Sequence, residues 1–215
     1  MIKQNKRTLI ITSLLILIPI IFGSVLWNEL PEKIPTHWGL DGTPDRYSSK
    51  GFAVFVFPVI VLALHWLCVV LSQKDPKNKN QSPKARALML WTCPAISLVV
   101  NAMMYSYALG RAPDVKAAMC VLLGVMFVVI GNYLPKCKPN HTVGIRIKWT
   151  LNDDENWSAT HRLAGKTAVV CGMLVILCAL LPNVAAFTAM MCLTLAMVVI
   201  PTVYSYRLYK KKNSK

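Results

Sequence analysis

From Thr167 to Tyr206 the chain carries no Asp, Glu, Lys or Arg. A helix needs about 20 apolar residues to cross the hydrocarbon core of a bilayer. This run is about twice that length, with Pro182-Asn183 near its middle, so it reads as two membrane-crossing helices joined by a tight turn. Four further charge-free runs extend from Thr8 to Asn28, Gly51 to Gln73, Ala87 to Gly110 and Ala117 to Pro135. A charge at the bilayer centre costs about 3 kcal/mol or more, so each run marks a span. The expected fold is an all-α membrane protein: one integral domain, with transmembrane helices at about 8–28, 51–73, 87–110, 117–135, 163–181 and 184–206. The first run follows Lys3, Lys6 and Arg7 as a signal peptide would, but its apolar stretch is too long and no small-x-small site follows Gly23-Ser24-Val25, so it reads as a retained anchor.

Six spans sort the polar segments into two alternating sets. One set, which contains both termini, holds 19 Lys and Arg, and the other holds five: Lys33, Arg46, Lys50, Arg111 and Lys116. The positive-inside rule places the richer set, and hence both termini, in the cytoplasm. Topology thus accounts for the net charge of +15 without a nucleic-acid partner. The seven cysteines lie almost entirely inside the spans, which argues against a disulfide framework.

Two connecting segments are long and patterned. The outer one, 28–50, has Pro31 and Pro35 at its entry, turn signals at Gly39, Gly42 and Pro44, and Ile34, Trp38, Leu40 and Tyr47 to pack. It is expected to be an ordered extracellular loop. The inner one, 135–164, is a cytoplasmic motif loop whose first half is irregular. Its second half has Asn152 as a helix cap before Asp153, Asp154 and Glu155. Trp157, His161 and Ala164 then share one helical face, so a short amphipathic inner helix should lie at the membrane surface and run into the fifth span. The segment from Lys74 to Arg86 has little to bury and reads as a mobile linker.

Intramembrane ionisable groups mark transport pathways, and here the spans offer His65, with Lys166 at a helix end and Asn101 as the most polar central residue. An interhelical hydrogen bond is the simpler role for Asn101, and kinked packing the simpler account of Pro19, Pro58, Pro94 and Pro201. Cys137, His141 and His161 do not complete a four-ligand metal set, and Asx turns explain Asp41 and Asp45 near His37 more economically than a cation does. No nucleophile elbow, His-Glu-x-x-His or phosphate loop is present. The expectation is a non-enzyme without cofactor or metal.

Leu30-Pro31, Ile34-Pro35, His37-Trp38, Gly42 and Asp45 resemble the small domain that follows the first helix of bacterial membrane proteins related to SdpI. Gly131 to Lys136, Lys138-Pro139-Asn140, Gly144-Ile145-Arg146, Trp149-Thr150-Leu151, Trp157 and Thr160-His161-Arg162 are similar to that family's second signature. The resemblance covers essentially the whole chain. It departs where the family pattern has Thr-Pro and this chain has Ile147-Lys148, a loss of proline that should loosen the turn. The resemblance implies a multi-pass protein of the bacterial plasma membrane that confers immunity to a secreted peptide toxin. It further implies signalling, by sequestering a winged-helix-type repressor at the cytoplasmic side. His37, Trp38, Asp41 and Asp45 become the toxin-binding candidates; Asn140, Gly144, Arg146, Trp149, Trp157, His161 and Arg162 become the repressor-docking candidates. Membrane lipids are the remaining partners. The competing readings are a small-solute or lipid transporter with a cavity near Asn101, and an accessory subunit that binds a partner through Gly172, Ala185, Ala186 and Ala189.

Overall fold

The computed structural model describes residues 5–77, 83–111 and 113–214. Among the described residues six helices are long and apolar enough to cross a bilayer: α1 (Lys6–Val25), α2 (Phe52–Lys74), α3 (Pro83–Ala108), α4 (Val115–Tyr133), α6 (Asp154–Leu177) and α7 (Asn183–Asn213). A four-residue helix, α5 (Lys148–Leu151), precedes α6. The chain is an all-α multi-pass membrane protein, with one local exception. Residues of the first long connection pair as an antiparallel hairpin, β1 (Lys33–Trp38) and β2 (Pro44–Ser49).

Local chemistry explains the helix starts. Asp114 caps α4 by accepting a 2.9 Å bond from the Ala117 N–H. Asp153 caps α6 by accepting from the N–H groups of Glu155 and Asn156. The cap is therefore Asp153 and not the expected Asn152, which instead closes α5. The amphipathic segment from Asp154 onward is continuous with the span that follows it, so polar and apolar parts form one helix. In α2, Pro58 has no N–H to offer its preceding turn, and the backbone opens there into a π turn, Phe52–Val56.

The helices pack as two groups of three. In the first, α1 lies against α3 and α2 across a polar seam. Tyr105 Oη donates to the Pro19 carbonyl at 3.1 Å, Ser97 Oγ donates to the Ile16 carbonyl at 3.2 Å, and Thr12 Oγ1 meets His65 Nε2 at 3.2 Å. Gly23 opens the space: a Cβ there would stand 2.8 Å from the Tyr105 hydroxyl. Asn101 is buried and donates within its own helix, to Ser97 O at 2.8 Å.

The second group is built on a different principle. Gly124 and Gly131 on α4 face Gly172 and Gly165 on α6, the same seven-residue spacing on two antiparallel helices. A Cβ on Gly131 would stand 2.8 Å from Gly165 O, and one on Gly172 would stand 2.7 Å from Gly124 O. The two backbones therefore touch, which is how membrane helices gain dispersion contact without hydrophobic drive. Gly172 is consumed by this internal seam and offers no face to a partner subunit, a correction to the accessory-subunit reading; Ala186 is likewise buried, against Cys120, Val175 and Met190. Around both groups Leu14, Ile21, Leu67, Leu71, Leu195 and Val198 point outward as a lipid-facing belt.

Candidate functional site

The two motif regions occupy opposite ends of the helices. At one end the hairpin is seated firmly. Ile34 and Leu30 are buried with Ala53, Val54, Met104 and Tyr105, so alternate residues of β1 plug the ends of the first helix group. Lys50, 7% exposed, has all three ammonium donors engaged, by Trp27 O and Leu30 O at 3.1 Å each and by Glu32 at 3.0 Å, and it lies 4.7 Å over the Trp27 ring.

This seating decides what the candidate residues present. Trp38 turns inward, half-buried, edge-on to Tyr107 with ring centroids 6.0 Å apart. His37 and Asp45 are exposed and pair across the strands at 2.6 Å. Asp41 forms an Asx turn, accepting from the Thr43 N–H at 3.0 Å and hydroxyl at 2.8 Å, and those two bonds hold its carboxyl below the usual value. Gly42, at φ 79°, makes the tip turn possible. Asn183 Nδ2, at the start of α7, donates to the Asp41 carbonyl. The hairpin thus rests on the first helix group and touches the second.

At the other end the 135–164 loop is built around three interior residues. Asn140 satisfies its whole amide: Nδ2 donates to Lys138 O at 2.8 Å and Val143 O at 2.9 Å, while Oδ1 accepts from the N–H groups of Thr142 and Val143. Trp157 is fully buried and donates from Nε1 to Cys137 O at 2.9 Å. Burial in the same region pushes the Cys137 thiol up. His161 stacks on Trp157 at 4.1 Å, donates from Nδ1 to Trp157 O and accepts at Nε2 from the Ile145 N–H. Those two bonds fix the neutral tautomer. Gly144, at φ 110°, lies so close to that ring that any Cβ would collide with Nε2. Asn140, Trp157 and His161 therefore hold the loop and have no surface to offer a partner, while Arg146, Arg162 and the ring of Trp149 remain accessible. Trp149 stacks on Tyr209 and meets the tilted ring of Tyr206 at 5.4 Å, beside an open cleft of about 820 Å³. Among the described residues no cluster of three or more His, Cys, Asp or Glu converges as metal ligands would.

The turn that lacks proline is closed another way. Lys148 stands at the first helical position, where proline is also at home. Thr150 Oγ1 accepts from the Ile147 N–H at 3.1 Å and donates to Ile145 O at 2.7 Å, so the turn is held and not loosened.

Asp75 is a participant that the sequence did not single out. It lies in the stretch read as a mobile linker, whose residues 78–82 fall outside those described. Yet it is 6% exposed, and its carboxylate accepts from the His141 N–H and the Thr142 hydroxyl at 2.7 Å each and from the Lys77 N–H at 3.0 Å. Burial pushes its acidity toward a higher pKa, but these hydrogen bonds outweigh burial and the net shift is downward. Asp75 thereby ties the end of α2 to the motif loop of the second group. Nothing local signals this, since its partners lie 66 and 67 residues away.

Comparison with known proteins agrees with this division. Residues 136–205 match the SdpI/YfhL protein family, and residues 14–62 match a domain of unknown function (DUF1648). Over 98% of its length, and 98% of the relative's, the chain is 28% identical to the immunity protein SdpI of Bacillus subtilis. No solved structure matches significantly. With both motif regions matched in order and 98% of the chain aligned to this relative, the chain is similar to the SdpI family of membrane proteins along nearly its whole length.

Proposed function

We propose that the chain is a bacterial plasma-membrane immunity protein that protects its cell from a secreted antimicrobial peptide, with the hairpin outside and both termini in the cytoplasm. The orientation rests on the 19 to five division of Lys and Arg between the two ends. The immunity reading rests on the alignment to an immunity protein along nearly the whole chain. The observation that carries the mechanism is the double anchorage of the hairpin: it is packed into the first helix group and hydrogen-bonded through Asp41 to Asn183 of the second. A peptide held on the exposed His37, Asp41 and Asp45 would therefore bear on both groups, and its preference for one arrangement would shift their balance. At the opposite end, the Trp149, Tyr206 and Tyr209 rings with Arg146 and Arg162 form the accessible surface on which a winged-helix repressor would dock. The function is recognition, without a catalytic step.

The test is survival of a sensitive bacterium that expresses the chain and is challenged with a membrane-active peptide toxin. Wild type is compared at matched membrane levels with His37→Ala/Asp45→Ala and with Arg146→Ala. These positions are exposed, so the substitutions spare the helix packing. Protection lost only in the hairpin variant supports the reading; absence of protection by the wild type against every such peptide overturns it.

A further inference from the structure

At the motif-loop end a second open cleft, of about 570 Å³, runs between the end of α2, the start of α3 and the motif loop. Its wall changes character with depth. Lys74, His141 and Arg146 line it together with the apolar residues Cys68, Leu71, Met89 and Val143, and along α2 Lys74 marks the mouth and Leu71 and Cys68 the floor. Lys74 is the first charge after the charge-free run that ends at Gln73, so the mouth lies where the bilayer turns from acyl chains to headgroups. At 1.5 Å per residue, Leu71 and Cys68 sit about 5 and 9 Å deeper along α2, at the level of the first methylenes of a lipid. Cys68 and Leu71 are exposed, so the floor is open to the surrounding hydrocarbon.

We propose that this cleft is a binding site for one anionic phospholipid, its phosphate between Lys74 and Arg146 and the upper part of an acyl chain on Cys68, Leu71 and Met89. The charge pattern favours this occupant. Asp75 is the one acid among the described residues of the wall, and its carboxylate is engaged by His141, Thr142 and Lys77. Arg146 is held in place by a bond from Nη1 to the His141 carbonyl, which leaves its other guanidinium donors for a phosphate. No salt bridge takes up Lys74 or Arg146 among the described residues. Basic pockets between transmembrane helices are a recurrent way to hold acidic headgroups. The assignment shares Arg146 with the docking surface proposed above but does not depend on that reading, because it needs only the bilayer and the cleft.

The experiment is native mass spectrometry of the full-length protein extracted in mild detergent and exchanged with phosphatidylglycerol or phosphatidylcholine, with lipid retained per chain as the readout. Wild type is expected to hold one phosphatidylglycerol and to release phosphatidylcholine. Lys74→Gln/Arg146→Gln should lower phosphatidylglycerol retention at least about fivefold. Cys68→Phe, which fills the floor and leaves every charge in place, should lower it comparably. Lys210→Gln/Lys211→Gln removes the same charge from the exposed end of α7 and should change nothing. An equal fall in that last variant would mean diffuse attraction to a basic surface and would overturn the proposal. Displacement of the lipid by glycerol phosphate at millimolar concentration would mean a phosphate site without an acyl floor, and would overturn it equally. Unchanged retention in both cleft variants, each folded by circular dichroism, would do the same.

Discussion

The two helix groups reach cohesion by opposite means. Between α1, α2 and α3 the backbones stand apart, and buried hydroxyl, phenol and imidazole groups bridge the gap. Between α4 and α6 paired glycines bring the backbones into contact, with Val128, Val169 and Ile176 packed around the crossing. A hydrogen-bonded seam can exchange partners at modest cost, because polar groups in a membrane find substitutes. A backbone seam has no alternative geometry, because overpacking it must push whole helices apart. The second group is therefore expected to be the stiffer of the two.

That contrast can be broken or sharpened by substitution, and the largest effect belongs to the glycine seam. Gly131→Leu or Gly172→Leu should cost about 3 kcal/mol, read as a lower thermal midpoint in detergent and less protein in the membrane; near-wild-type stability would end the case for a rigid half. Asp75→Ala, which cuts the tie between the halves, strands two donors of the motif loop and should cost about 2 kcal/mol. It should also speed proteolysis between His141 and Arg146. Because hydrogen bonding lowers the folded pKa of Asp75 below its ordinary value of 3.8, its contribution is complete above about pH 4. It disappears only as pH falls through the folded value, so the loop should show no Asp75-dependent loosening between pH 5 and 8. Tyr105→Phe removes one bond of the polar seam and should cost about 1 kcal/mol; a loss equal to that at Gly131 would erase the distinction between the seams. The smallest effect is expected for Lys212→Gln. Lys212 reaches Asp153 at 2.7 Å and Glu155 at 2.6 Å on the exposed surface, and any difference from wild type should vanish in high salt.

The six spans were legible because a bilayer excludes charge so strongly that runs of uncharged residues become nearly sufficient. The hairpin was not: each strand has six residues, β1 contains Pro35, and order was visible in the turn signals of Gly39 and Gly42 while the pairing of Lys33 with Ser49 was not. Nor could spacing say which aromatic residues face inward. Trp157 and Trp149 look alike as interfacial tryptophans, yet one is fully buried on His161 and the other lies against α7. Asp75 and Lys50 read as ordinary loop charges because their worth depends on carbonyls and amides brought near by the fold. The seven-residue glycine spacing was present in the sequence but gained meaning only once α4 and α6 were known to run antiparallel in register.

The pairing of α1 with α3 sets an order on biosynthesis. Spans emerge from the ribosome one at a time, and α4 meets its partner α6 as the very next span to arrive. The first helix enters the bilayer with Thr12 in its middle and must wait for Ser97 and Tyr105, more than 80 residues later, before the Ile16 and Pro19 carbonyls gain their extra donors. Until then its neighbour α2, carrying His65, is the available partner for Thr12. The Thr12–His65 bond is thus the one polar contact of this seam that needs only the first two spans, and could form before the third is made.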